Sequence, residues 1–361
     1  MQVTFKTITV HDDVTVPYID FAHCTSFSKD YINDNGRVLS ADWVTYACTE
    51  LDFIIICNQY HFEDIEWICG YMAKKDYLPQ PIVSTMLEFY DKKTQLKDVV
   101  GKEYEYMKSK NSLNSVFGTM VTDICHDEVV YDNGEWSKAT PDLVESIARY
   151  SASKNSFLLY QWGVYITANA RWELQKMIDA VGWDFVYTDT DSVKFINKKH
   201  LQSFKDRNDY LLANPQRYRN YADRQNEDGT TTRFYLGIWD DDGNYKKFKT
   251  LGAKKYAYID SKDNKLHVTV SGLSKQKGAE ELERGNGIAD FKIGKLFTDS
   301  GRTVSYFNES NIHSITITDY TGKKSTFTTA SNIAIVDTTY TLGITDEYSE
   351  IIGRNFIDNC E

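Results

Sequence analysis

Strand-forming residues recur at alternate positions near the start of the chain, at Val3, Phe5, Thr7 and Thr9 and again at Val14, Val16 and Tyr18. A period of two predicts strands with one apolar side. We read this as a sheet edge with turns at His11-Asp12-Asp13 and Asn33-Asp34-Asn35-Gly36. Ala41 to Ala47 reads as the start of a short helix capped by Ser40. The apolar run Phe53–Cys57 predicts a buried strand. Gln80-Pro81 opens a helical stretch from Ile82 to Gly118, with Ile82, Met86, Phe89 and Tyr90 on one face and Gly118 as its stop. Residues 123–155 are polar, with a hairpin turn at Asp132-Asn133-Gly134-Glu135. Trp162 to Val181 is helical again. Strands are expected at Trp183–Tyr187, Val193–Ile196, Phe234–Trp239, Lys254–Ile259 and Leu266–Val270, and in the Thr/Ile-rich tail from Phe291. Residues 198–230 are polar and read as irregular or helical. Antiparallel strands with helices inserted between them make an α+β fold.

The length of 361 residues suggests two or three domains or one elaborated enzyme domain. A composition 41% apolar and 26% charged is that of a globular chain. The net charge of −11 argues against a surface that binds polyanions everywhere, but leaves room for a local basic groove. No apolar run approaches the roughly 20 residues of a membrane-spanning helix, and the first residues lack the apolar core of a secretory signal, so no membrane partner is expected. The six cysteines include no Cys-x-x-Cys pair. Reduced, mostly buried thiols in a cytosol follow, and Cys125-His126 has no second pair with which to make a metal site.

Three stretches carry chemistry. In Trp183–Phe195, Asp189 and Asp191 stand two apart at a predicted turn, so both can point the same way. Two carboxylates held together repel unless a cation lies between them, and hard oxygen ligands suit Mg2+. A solvated Asp-Thr-Asp turn is the plainer alternative. In the helical stretch, Lys110, Asn114 and Phe117 fall at i, i+4 and i+7, placing a cation, an amide and a ring on one face. Such a face can serve a triphosphate, a sugar and a base, or it can be an ordinary exposed charged helix. Finally, Lys246, Lys247, Lys249, Lys254 and Lys255 occur with no acid between Asn244 and Tyr256. On a strand, Lys254 and Tyr256 would share one face, fit to hold a sugar-phosphate backbone without reading bases. An edge strand carrying lysine against aggregation is the other reading.

Tyr187-Thr188-Asp189-Thr190-Asp191-Ser192 resembles the metal-binding motif C of family B DNA polymerases. Lys110-Asn111-Ser112-Leu113-Asn114-Ser115-Val116-Phe117-Gly118 resembles their motif B, Lys-x-x-x-Asn-Ser-x-Tyr-Gly, with Phe117 in place of tyrosine. Lys93-Thr94 resembles a further basic position of the fingers, and Lys254-x-Tyr256 the Lys-x-Tyr motif. The order and spacing, with Gly163–Arg171 and Leu266–Leu273, look like those of the protein-primed phage branch. The resemblance implies an antiparallel polymerase palm sheet with inserted helical fingers and a small β-rich thumb. Residues 1–78 would be an insertion and part of the palm, 79–122 fingers, 123–160 a second insertion, 161–265 palm, and 266–361 thumb and C-terminal strands.

The resemblance assigns Asp191 and Asp189 to two Mg2+ ions, with Mn2+ as a substitute. It assigns Lys110, Lys93, Asn114 and Phe117 to a deoxynucleoside triphosphate, and Lys254 and Tyr256 to the primer terminus of a DNA template–primer. A protein-primed enzyme would also meet a terminal protein. Motif A, of the form Asp-x-x-Ser-Leu-Tyr-Pro, is missing: the stretches beginning at Asp20, Asp52 and Asp76 all fail it, and the exonuclease signature is missing too. The expectation is therefore the C-terminal part of a polymerase, as a truncated product, an expression fragment, or one half of a split enzyme completed by a second chain supplying motif A. If phage-encoded, it would work in the host cytoplasm. A catalytically inactive DNA-binding module, a metal-dependent nuclease and a structural protein are the competing classes.

Overall fold

The computed structural model describes residues 1–343 except 35, 75, 133–134, 155, 158, 215–219, 227, 308–311, 319–320 and 331–332. The chain divides into two compact units: Met1–Thr122 with Asn155–Asp241, and Asp123–Lys154 with Asp242–Glu361.

The first unit begins with an antiparallel sheet of β1 (Gln2–Val10), β2 (Cys24–Phe27), β3 (Tyr31–Asp34), β4 (Arg37–Ala47), then α1 (Glu50–Gln59), β5 (Tyr60–His61) and β6 (Asp64–Cys69). The first strand is interior, not an edge: β4 pairs along one side of it and β5 and β6 along the other. Its alternation also changes phase. Val3 and Phe5 are buried, but Thr7 takes φ 53° and is exposed, so the next core position is Ile8. The helix expected from Ala41 is the second half of the eleven-residue strand β4. Val44 and Thr45 are buried there, and β-branched residues suit a strand flanked on both sides.

The strand expected at Phe53–Cys57 is the middle of α1. The deciding signal lies just upstream. The Thr49 side chain accepts from the Asp52 amide and the Asp52 carboxylate accepts from the Thr49 amide, a reciprocal cap that starts a helix. Short apolar runs do not distinguish strand from buried helix, so the cap wins.

The expected helical stretch is a pair of packed helices, α2 (Gln80–Leu96) and α3 (Glu103–Met120), and α3 runs two residues past Gly118. Next come β7 (Glu128–Asp132) and β8 (Glu135–Ala139), the expected hairpin, whose turn residues 133–134 lie outside the described ones, and α4 (Leu143–Ala152). The first unit resumes with α5 (Tyr160–Val181), the two-stranded β9 (Phe185–Asp189) and β10 (Ser192–Phe195), α6 (Leu201–Leu212), and the hairpin β11 (Tyr221–Gln225) and β12 (Thr231–Tyr235). The polar stretch 198–230 thus holds a helix and a strand. The strand expected at Phe234–Trp239 ends at Tyr235.

The second unit continues with β13 (Tyr245–Thr250), β14 (Lys255–Asp260) and β15 (Leu266–Val270) as one antiparallel sheet, then α7 (Lys275–Glu283), which packs on β15. Ala257, Val268, Val270, Leu273, Leu282, Phe291 and Phe297 form its core. The tail strands are β16 (Leu296–Phe297), β17 (Thr303–Phe307), β18 (Ile312–Thr318), β19 (Lys324–Ala330), β20 (Ile333–Asp337) and β21 (Tyr340–Thr341), paired β16–β21, β17–β20 and β18–β19. Among the described residues no helix is long and apolar enough to cross a membrane. Cys48 is buried, Cys24, Cys57 and Cys125 are half-buried, and Cys69 is exposed.

Candidate active site

The acidic turn sits at the tip of the β9–β10 hairpin. Asp189 and Ser192 are paired, which leaves Thr190 and Asp191 as the turn. The Asp191 amide donates to the Asp189 carbonyl at 2.6 Å, and Thr190 takes φ 56°. A three-residue turn with its central residue in the left-handed region is tight and costly for a β-branched side chain. Side chains hold it: Thr190 Oγ1 donates to Asp189 Oδ1 at 3.0 Å, Ser192 Oγ to the Asp189 carbonyl at 3.3 Å, and Thr188 Oγ1 to the Ser192 carbonyl at 2.9 Å. Asp189 is half-buried and Asp191 exposed. Tyr187, two residue pairs back, is buried and anchors the strand.

The donors at this tip are oxygens, which suits a hard divalent cation in kind. In number they fall short: among the described residues no three His, Cys, Asp or Glu side chains are grouped to hold a metal. Asp184, at the base of the hairpin, is committed elsewhere. His200 Nε2 lies 2.7 Å from its Oδ2 and Lys199 Nζ 3.5 Å, and with His200 foremost these hold the Asp184 carboxyl below its usual range.

Asp52, one of the stretches tested for motif A, is also committed. It is buried, and Arg171 on α5 grips it with two hydrogen bonds, Nε to Oδ1 at 3.0 Å and Nη2 to Oδ2 at 2.9 Å. Tyr18 donates to the same Oδ1 at 2.5 Å. Burial alone would raise the Asp52 carboxyl, but the hydrogen bonds from Arg171, Tyr18 and the Thr49 amide outweigh it and hold it below the usual carboxylate range. Burial, with the Asp52 charge, pushes the Tyr18 hydroxyl far up, so it stays a donor. Sequence reasoning missed this triad, although Arg171 lay in a noted stretch. The Thr49–Asp52 cap was the legible clue.

On α3, Lys110 and Asn114 are exposed and Phe117 is half-buried. Lys93 lies on α2, half-buried, with its ammonium 5.5 Å from the Tyr90 ring centre. Burial lowers the Lys93 pKa, and the charges of Lys110 and Lys97 lower it further. α2 and α3 pack together, and Lys93 is near enough to Lys110 across them for that charge to disfavour its protonated form.

α5 joins these parts. It packs on α3 near its start, where a β-carbon on Gly163 would stand 2.2 Å from Val121 Cγ1, and it packs on β10. The lysine helix and the acidic hairpin are therefore seated on one helix.

Lys254 and Tyr256 belong to the second unit. Their expected shared strand face does not exist: Lys254 takes φ 55° just before β14 begins, and it is exposed. A left-handed residue breaks the alternation that the face argument assumed. Tyr256 is in the strand, half-buried, with its ring 5.5 Å from that of Phe248.

The described residues thus make an antiparallel α+β chain with a helix pair, an acidic hairpin seated on a long helix, and a β-rich second unit. The solved structure of phi29 DNA polymerase, in an orthorhombic crystal form, is similar to this chain with a TM-score of 0.51 at 16% identity. The match covers 94% of this chain and 50% of the polymerase, so the chain spans about half that protein's length. No family model and no curated protein sequence matches the chain.

Proposed function

We propose that this chain is the palm, fingers and thumb part of a template-directed DNA polymerase of the protein-primed family B type, which transfers deoxynucleotides to a 3′-hydroxyl or a protein primer. The observation that carries this reading is the seating of α3 and the β9–β10 hairpin on the single helix α5. A triphosphate cation site and a pair of carboxylates held in one body are what nucleotidyl transfer requires.

In this reading Asp191 and Asp189 hold Mg2+, which when bound neutralises charge on the triphosphate and activates the attacking hydroxyl. Lys110 and Lys93 balance charge on the phosphates as pyrophosphate leaves. Asn114 and Phe117 line the nucleotide pocket. Phe117 keeps a ring for the sugar or base but brings no hydroxyl. Lys254 and Tyr256 hold the primer strand of the DNA. The two carboxylates are one ligand short, so full activity needs an aspartate from a further polypeptide segment, in the same or a second chain.

Calorimetric titration with a deoxynucleoside triphosphate, with and without Mg2+, tests the reading. Binding that strengthens at least tenfold with Mg2+ supports it. Binding indifferent to Mg2+, or none, rejects it in favour of a DNA-binding module without catalysis, the reading that the short carboxylate set favours.

A further inference from the structure

We propose that the outer face of the β13–β14–β15 sheet is a stacking surface for the unpaired bases of single-stranded DNA. The inner face already supplies the core of its unit: Ala257, Leu266, Val268 and Val270 are buried against Leu282 and Phe291. The outer face of such a sheet is ordinarily polar. Here it is aromatic. The register sets Phe248 on β13 opposite Tyr258 on β14, and Tyr258 opposite His267 on β15, so three rings run in a row across three strands. Tyr258 and His267 are stacked at 4.9 Å and 16°, and Phe248 and Tyr258 lie 6.4 Å apart at 16°. Tyr245 packs edge-on to Tyr258 at 4.6 Å. The rings of the row are half-exposed and share nearly one orientation.

Beside this row, Tyr258 and His267 border a groove of about 480 Å³, whose walls include Lys265, Lys275, Gln276 and Thr269. That volume is in the range of ligand clefts. Glu280 and Glu283 also border it, so it is not a general anion site, and ring stacking has to carry the binding. Aligned aromatic rings with lysines at the margin suit a nucleic-acid strand whose bases are unpaired, because every base offers a π-face and the backbone offers phosphates. A duplex keeps those faces inside its own stack. The choice of DNA over RNA rests on the polymerase reading above; the ring surface itself does not. Tyr256 shares this face, its ring 5.5 Å from that of Phe248 and 6.3 Å from that of Tyr258, so the stacking surface adjoins the proposed primer contact.

The alternative is that these cross-strand pairs only stabilise the sheet. Anisotropy of the full chain with an oligothymidylate carrying one 2-aminopurine separates the two. Binding with quenched 2-aminopurine fluorescence is expected, and Tyr258→Leu and His267→Ala should each weaken it roughly tenfold, as expected for the loss of one stacking partner. Tyr258→Phe, which keeps the ring, should bind like the parent. A fall in Tm with unchanged DNA affinity in both variants would overturn the proposal, as would an absence of quenching. Equal affinity for oligouridylate would overturn the choice of DNA. Equal, variant-sensitive affinity for a blunt duplex would overturn the requirement for unpaired bases. If Tyr258→Leu does not fold, His267→Ala decides, since that side chain is 42% exposed. Mg2+-dependent nucleotide binding measured on the same proteins keeps the two readings apart. Its loss in the parent with stacking retained sinks the polymerase reading alone, and its retention in the variants with stacking lost leaves that reading standing.

Discussion

Arg171 and Asp52 stand 119 positions apart in the chain and are joined by two hydrogen bonds, which fasten the long helix α5 to the capped start of α1. The carboxylate is buried, so its partner cannot be removed without leaving a charge out of water.

Arg171→Met should therefore destabilise the chain. Arg171 is 42% exposed, and solvent screening puts the loss below the roughly 3–5 kcal/mol of a fully buried pair, at about 2–3 kcal/mol. The sign with pH follows from the depressed Asp52 carboxyl. Its contribution is fully present above the unfolded-state value and is lost as pH falls through the folded one. Urea unfolding of parent and Asp52→Asn should differ most near neutral pH and converge in strong acid. A gap that widened in acid would contradict the assignment.

Gly163→Ala should be unfavourable despite alanine's better helix propensity. The added methyl meets Val121 Cγ1, and overpacking costs about 1–3 kcal/mol against a propensity gain of about 1 kcal/mol. The double variant Gly163→Ala with Val121→Ala should recover that loss. Thermal melts of the three proteins check the sign, and additive losses in the double variant would place the cause elsewhere.

Lys93 has its pKa lowered by burial and by Lys110 and Lys97, so a bound triphosphate should draw it back up. Nucleotide binding then takes up a proton at alkaline pH, and affinity falls as pH rises through the value in the free chain. Lys93→Met should remove that alkaline fall and weaken binding roughly tenfold. Calorimetry in two buffers of different ionisation enthalpy measures the proton count.

Asp191→Asn should weaken nucleotide binding in Mg2+ at least tenfold and leave binding in EDTA as it was. In an enzyme completed by the further segment proposed above, the same change should cut the incorporation rate by orders of magnitude with little change in DNA affinity. Near-normal incorporation would remove Asp191 from the mechanism.

The parts legible in the sequence are those fixed by long periodic patterns or by local chemistry. α5 and the helical character of the Ile82–Gly118 stretch follow from apolar spacing, though not its division into α2 and α3, and the β9–β10 turn follows from Asp-Thr-Asp between two short apolar strands. The failures also have local causes. β4 and α1 exchanged identities because seven-residue and five-residue windows do not separate a paired strand from a buried helix, and the Thr49–Asp52 cap that decides α1 lies outside its window. Lys254 was misplaced because a single left-handed residue cancels the period-two rule, and lysine gives no sign of adopting it. The nearness of Lys93 to Lys110 is a product of helix packing, which no spacing along one chain reveals.

The 22 residues of α5 amount to a rod about 33 Å long at 1.5 Å per residue. Gly163 meets its neighbour near one end, Arg171 holds Asp52 about two turns further, and the acidic hairpin follows the other end. Inserting one residue between Gly163 and Arg171 would rotate everything beyond it by about 100° and swing the arginine off its carboxylate. Additions to this chain are tolerable in its loops, while this rod must keep its length and its phase.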